Sequence, residues 1–285
     1  MPATSIPTVL FGSTGRSVTR VGLGGEGVLR TNGRSPEAEE VIRAALDAGI
    51  GYFDSARVYA DSEVYYGSVW GQESAARRRV FQTSKSAVRG KAGALAELDQ
   101  TLKRLQTDYL DLWQIHDIRT PEDLAMIGGP GGALEAFVEA KASGRVRFIG
   151  VTGHREPAIL TRAVEDWPVD SVMMPVNPVE GVLGGFLTST LPAARKKGIA
   201  VVGMKVLGAS HYLKPQLGLT ADRLIRYALA QDITLAIVGC SGPVEVRTLA
   251  EAGCDPAPLN AEEQDRLHEI FRPYARKLAY YRGVM

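Results

Sequence analysis

Between residues 21 and 252 the chain repeats one unit eight times: a short apolar run followed by a segment of helical periodicity. The apolar runs fall at 21–23, 52–54, 80–83, 110–115, 147–151, 171–174, 200–204 and 235–238. The helix-period segments fall at 36–48, 62–70, 91–105, 132–143, 156–167, 188–197, 220–231 and 244–252. Strands joined by helical crossovers pair in parallel, and parallel strands buried on both faces read as continuous apolar runs. Several helical segments stop at a glycine, as at Gly49, Gly144 and Gly198, where the chain can turn left-handed. Eight such units predict an α/β fold of the closed (β/α)8 TIM-barrel type. A doubly wound open sheet also alternates, but its dinucleotide-binding form needs GxGxxG after the first strand. Here Gly22, Gly24, Gly25 and Gly27 surround Glu26 at the wrong spacing.

Before the repeat, segments 8–11 and 17–20 flank a turn-rich stretch at 12–15 and predict a hairpin. After it, 261–281 predicts one amphipathic helix with Leu267, Ile270, Phe271, Tyr274 and Leu278 on a common face. No linker or low-complexity stretch divides the 285 residues. Barrels of this kind reach roughly 250 residues as one unit, so residues 1–285 read as a single domain.

Composition removes several classes of function. Lys plus Arg is 33 and Asp plus Glu is 32, a net charge of +1, which provides no field for holding nucleic acid. No apolar run nears the roughly 18–20 residues of a membrane span, and the first residues lack the basic and apolar regions of a secretory signal. With only Cys240 and Cys254, no disulfide framework is expected, and the expected address is the cytoplasm. His116, His154, His211 and His268 form no i, i+4 pair, so no metal site is expected. Nothing in the sequence sets an oligomeric state.

Ligands of such barrels meet the C-terminal strand ends. There the sequence places Asp54 with Tyr59 just beyond it, then Lys85, then His116, from three consecutive runs. A phenol with an ordinary pKa near 10 is a usable acid at neutral pH. An ammonium nearby favours its phenolate, a carboxylate holds the ammonium, and an imidazole can orient a carbonyl oxygen. The set polarises C=O and moves a proton, yet it holds no hydride, so a cofactor must supply one.

These residues sit in motifs that resemble the aldo-keto reductase family. YFDSARVYADSEVYYGSVWG at 52–71 is similar to the family's Asp and Tyr signature, QTSKS at 82–86 carries Lys85, and DYLDLWQIHD at 108–117 carries His116. The likeness runs on through RFIGVTGH, VVGMKVLG and AIVGCSG, over essentially the whole chain. The resemblance implies a barrel closed below by the hairpin, and hydride transfer between a nicotinamide cofactor and a small carbonyl or alcohol substrate (aldehyde, ketone or sugar). It makes Tyr59 the general acid/base, with Lys85 lowering its pKa. Asp54 would hold Lys85, and His116 would orient the substrate oxygen.

For the cofactor the resemblance implies contacts after strands five to eight, and here the sequence departs from the family. Thr152 and Gly153 stand where a Ser-Asn pair usually grips the carboxamide, with Asn177 and His154 as candidate substitutes. Met204 offers a polarizable thioether where an aromatic ring often stacks, beside Lys205, Leu207 and Gly208. Gly239 and Ser241 precede the last helix of the repeat, with Arg247 as a candidate phosphate partner and Glu245 as a group that would repel a 2′-phosphate. NADP(H) is the cofactor the resemblance implies, and Glu245 makes NAD(H) the alternative. Two other classes stay open at this point: a ligand-sensing barrel with little turnover, and a lyase or isomerase reusing the four polar residues.

Overall fold

Runs rich in Val, Ile, Leu and aromatic residues form strands whose two faces must both be covered, and a sheet closed on itself and ringed by helices covers both. The structure, a computed structural model, describes residues 5–254 and 257–283; residues 1–4, read above as part of a start without a secretory signal, lie outside it. β1 (Thr8–Leu10) and β2 (Ser17–Thr19) pair as an antiparallel hairpin, Thr8 opposite Thr19. Eight parallel strands follow: β3 (Val21–Gly27), β4 (Tyr52–Phe53), β5 (Phe81–Ser86), β6 (Leu110–Ile115), β7 (Val146–Thr152), β8 (Ser171–Pro175), β9 (Ala200–Met204) and β10 (Leu235–Cys240). They pair in chain order and β10 closes onto β3, giving a (β/α)8 barrel with its hairpin.

Side chains alternate along a strand, so residues two apart share a face. Tyr52, Phe81, Leu112, Phe148 and Val202 fill the barrel over a floor made by Phe11 and Val18 from the hairpin region. The Phe11 ring lies 4.8 Å from Phe81 and 6.2 Å from Tyr52. Their neighbours point outward: Phe53 meets the edge of Trp70 at 5.5 Å, and Trp113 stacks on Phe137 at 3.6 Å. The same alternation carries polar residues to the upper rim. Asp54 lies two residues past Tyr52, Lys85 four past Phe81, and His116 four past Leu112.

The tail differs from the unbroken helix expected over 261–281. Helix Ala261–Phe271 begins at Asn260, which exchanges capping hydrogen bonds with Glu263. It then gives way to a tight turn at Arg272–Tyr274, a short helix at Ala275–Leu278 and a second turn at Tyr280–Arg282. Pro273 has no N–H to continue the ladder. Tyr274 is consequently 61% exposed, apart from the buried face that Leu267 and Phe271 share.

Three short helices, Ser74–Arg79, Pro121–Gly128 and Pro178–Leu183, occupy loops in which the periodicity shows none. They are too short to display a period. Two begin with a cap residue and a proline: Thr120 accepts from the Asp123 amide, and Asn177 accepts from the Glu180 amide. A π turn at Phe186–Thr190 precedes helix Leu191–Lys197, so the segment expected at 188–197 begins earlier. The glycine-rich stretch at 181–185 is close-packed: a Cβ on Gly181 would lie 2.3 Å from both Tyr227 Oη and His268 Nε2.

Candidate active site

Asp54 and Lys85 meet at the barrel rim as a buried ion pair. Lys85 Nζ donates to Asp54 Oδ1 at 2.7 Å, Asp54 Oδ2 at 2.6 Å and the Ser55 carbonyl at 2.8 Å. Thr83 Oγ1 also donates to Asp54 Oδ1, at 2.9 Å. Each residue is 1% exposed. The three ammonium hydrogens are thus committed, and Lys85 reaches Tyr59 through space: its Nζ lies 4.8 Å from the ring centroid.

Tyr59 is placed by a turn in which its amide donates to the Ala56 carbonyl at 2.9 Å. Its ring is enclosed on several sides. Arg30 stands over it with the guanidinium carbon 4.9 Å from the centroid, and His116 meets it edge-on at 5.6 Å. Gly25 leaves room for it, since a Cβ there would lie 2.6 Å from the ring. Burial pushes the phenol well above its ordinary pKa, Asp54 and Glu26 add to the rise, and Arg30 opposes it. This direction is opposite to the lowering expected from Lys85. Asp54 offsets part of the Lys85 charge, so burial wins, and the phenol stays protonated across the neutral range. Burial likewise lowers the Lys85 pKa, against the pull of Asp54.

His116 follows β6, and Asp117 beyond it takes a left-handed φ of 54°. The Asp117 amide donates to Thr152 Oγ1 at 2.8 Å, which fixes that turn. Burial first, then Lys85 and other cations, hold the His116 imidazole well below its ordinary pKa, so it is neutral. Its Nδ1 is buried without a hydrogen-bond partner.

Two clefts open around these residues. The first, about 280 Å³, runs between the ends of β3 and β10 and is lined by Gly24, Gly25, Glu26, Leu207, Gly239, Ser241 and Glu245, among others. The second, about 470 Å³, is lined by Arg30, Lys85, Arg89, His116, Asp117, Arg119, Thr152 and His154, among others. Glu26, Tyr59, Met173, Met204 and Lys205 line both. Tyr59 therefore stands in a shared wall.

The structure sorts the expected cofactor residues. Met204, Lys205, Leu207, Gly239 and Ser241 line the first cleft, and Thr152 lines the second. Gly239 is needed by close approach: a Cβ there would lie 2.6 Å from the Glu26 carbonyl carbon. The loop after β9 holds Lys205, Ala209 and Ser210 left-handed, a strain of roughly 1–3 kcal/mol each that tends to mark ligand-clamping segments. Gly153 and Gly208 face protein instead, Gly208 against the Tyr212 ring. Arg247 is exposed on helix Pro243–Cys254 and lines neither cleft.

Asn177 is likewise absent from both linings, because its amide is spent inside the protein. Oδ1 accepts from the Glu180 amide, and Nδ2 donates to the Lys205 carbonyl at 3.0 Å and to Tyr281 Oη at 3.1 Å. Arg30, Asp117 and Arg119 also line the second cleft, and of these Arg30 and Arg119 carry no signal in the sequence motifs. Asp117 directly follows His116, and that strand-end position is the signal that marks it. Among the described residues no His/Cys/Asp/Glu group could hold a metal ion, and no helix is long and apolar enough to cross a membrane.

Comparison with known proteins gives a consistent picture. The chain is 29% identical over 234 residues to the 6-dehydroglucose reductase of Novosphingobium aromaticivorans, covering 75% of this chain and 74% of that protein. It is 28% identical to the L-galactose dehydrogenase of Arabidopsis thaliana, over 99% of each. An aldo-keto reductase of Klebsiella pneumoniae, solved in complex with NADPH, shares the fold with a TM-score of 0.73 at 23% identity, over 93% of this chain and 94% of that one. The profile of the aldo/keto reductase family matches residues 20–218, well over half of the sequence. The chain belongs to the aldo/keto reductase family, a family of oxidoreductases.

Proposed function

We propose that the protein interconverts a carbonyl and an alcohol with a nicotinamide cofactor, and that Tyr59 gives and takes the proton. The observation that carries this reading is the position of Tyr59 in the wall shared by the two clefts, backed by Lys85–Asp54 and edged by His116. The first cleft suits the cofactor. Its floor at Gly24 and Gly239 is bare backbone, Met173 and Met204 offer thioethers at the shared wall, and Lys205 offers a cation. When bound, the nicotinamide supplies or accepts a hydride, chemistry that no side chain here possesses.

The residues of the chain handle the proton. Tyr59, protonated at neutral pH, donates to the substrate oxygen in the reductive direction and takes the proton back in the oxidative one. Lys85 stabilises the phenolate left behind, and Asp54 keeps Lys85 in place. Neutral His116 orients the oxygen through a ring N–H. The second cleft admits a polar carbonyl substrate, since only Val58, Ala87, Met173 and Met204 among its lining residues are apolar. NADP(H) has its precedent in the Klebsiella fold relative, whereas Glu245 at the edge of the first cleft favours NAD(H).

The test is the nicotinamide absorbance change with a panel of aldehydes, ketones and sugars, for wild type and Tyr59→Phe. The variant is expected to lose about 10²–10⁴-fold in kcat/KM, with its cofactor Kd, read by fluorescence, unchanged. Wild-type rates in Tyr59→Phe would overturn the assignment.

A further inference from the structure

The turn that carries Tyr59 holds a conformation its residues do not favour. Ala60, directly after the tyrosine, takes a left-handed φ of 46°, where an alanine Cβ is crowded. Backbone bonds tie the turn on either side of it. The Tyr59 amide donates to the Ala56 carbonyl at 2.9 Å, and the Asp61 amide donates to the Thr31 carbonyl at 3.1 Å. The middle is held by a side chain. Arg104, at the end of helix Lys91–Arg104, donates from Nη2 to the Ala60 carbonyl at 2.8 Å. Gly67 lets that helix end approach, since a Cβ on it would lie 1.9 Å from the Arg104 carbonyl oxygen.

Glu63 in turn holds Arg104. It lies in the first turn of helix Ser62–Gln72 and is 1% exposed. Its Oε2 stands 3.2 Å from Arg104 Nε and 3.7 Å from Arg57 Nη1. Its Oε1 accepts from Ser84 Oγ at 2.7 Å and from Thr101 Oγ1 at 2.8 Å. Ser84 lies on β5 between Lys85 and Thr83, the residue that donates to Asp54. One buried carboxylate therefore ties the strand of Lys85 to the guanidinium that grips the Tyr59 turn. Ala60, Glu63 and Arg104 line neither cleft, so they act on a reaction there only through the residues they hold.

We propose that Arg104, set by Glu63, is a positioning residue for the proton transfer. It keeps Ala60 left-handed and so sets where the Tyr59 phenol stands against Lys85. This rests on the reading of Tyr59 as acid/base given above. Without Arg104, Ala60 relaxes toward an ordinary φ and carries the adjacent ring with it. A misplacement of about 1 Å at a reacting group costs up to about 100-fold in rate.

The test uses whichever aldehyde, ketone or sugar of the panel above is turned over fastest. Arg104→Leu should lower kcat about 10- to 100-fold, with KM and the cofactor Kd little changed. Glu63→Gln, which keeps the shape and removes the charge, should lower kcat in the same direction. Glycine takes a positive φ without strain, so adding Ala60→Gly to Arg104→Leu should recover much of kcat. In a Tyr59→Phe background Arg104→Leu should leave the residual rate as it is, because its effect passes through the phenol. A merely structural role predicts the reverse. Equal losses in both backgrounds, or no recovery with Ala60→Gly, would overturn the proposal.

Crystal structures of wild type and Arg104→Leu read the turn without turnover. Ala60 should leave its positive φ in the variant and the Tyr59 ring should shift, whereas an unmoved ring contradicts the positioning role. Wild-type rates in Tyr59→Phe, or no turnover of any panel member, would sink the acid/base reading instead. The structures then decide alone whether Arg104 sets the ring: a shift supports it, and an unmoved ring overturns it.

Discussion

Lys85 is the residue whose environment leaves least freedom. It is an ammonium with every hydrogen spoken for and one counter-charge within reach. Asp54→Asn keeps the shape and removes the charge, so Lys85 is left ionised and buried. We expect a loss of about 3–5 kcal/mol, measured by urea unfolding. In the lining of the first cleft, Glu245 Oε2 accepts from the Ser241 amide at 2.7 Å, and on the proposed cofactor placement a 2′-phosphate there would meet a negative charge. Lys205 is the one cation lining that cleft among the described residues, and it lies 3.8 Å from Glu26. Glu245→Gln is therefore expected to tighten NADPH binding about tenfold and to shift NADH binding far less, both read by fluorescence titration. Equal shifts for the two cofactors would contradict that charge-based account.

Residues set by strand alternation were legible in the sequence: Asp54, Lys85 and His116 follow inward-facing Tyr52, Phe81 and Leu112 at even spacing. Asn177 was not, because its amide could serve a ligand or cap a helix, and the Pro178 after it is the signal for the cap. The setting of the His154 ring was equally hidden, since the carbonyl of Tyr281, 127 positions away, holds its Nδ1.

Elements repeat this division between local and distant causes. The strand runs were visible because burial on both faces concentrates apolar residues, and β6 and β9 have the bounds of their runs. Short loop helices were not, since a turn or two carries no period. The tail shows a local break overriding an amphipathic pattern: Leu267, Ile270, Phe271 and Leu278 keep helical spacing, yet Pro273 divides them. Its first helix depends on its start, where Asn260 Oδ1 accepts from the Glu263 amide and Glu263 answers the Asn260 amide. Asn260→Ala should cost about 1 kcal/mol and Asn260→Gly a few tenths, measured by denaturant titration.

At the scale of the whole molecule, the barrel buries titratable groups at its upper rim while the net charge stays near zero. That burial gives stability a pH dependence. In the unfolded chain His116 titrates near 6.5, whereas burial and neighbouring cations hold it well below that in the fold. Between those two values the unfolded chain binds a proton that the folded one refuses. Stability should therefore fall as pH drops below about 6.5, by up to roughly 1.4 kcal/mol per pH unit for this group. His154 shifts in the same direction. Urea midpoints between pH 7.5 and 5 should show the decline, and His116→Asn should make it shallower.

The pairing of β10 with β3 closes the barrel, and it also dates the parts of the site during synthesis. Asp54, Tyr59, Lys85 and His116 leave the ribosome in one stretch, on neighbouring strands that can pair as they emerge. The cradle at Gly24 and Gly239 joins segments more than two hundred residues apart. A nascent chain that stops before β10 carries the proton-handling residues and lacks one side of the first cleft. On the proposed cofactor placement, competence to hold a nucleotide is acquired late, at ring closure, and a product truncated before β10 is expected to be silent rather than partly active.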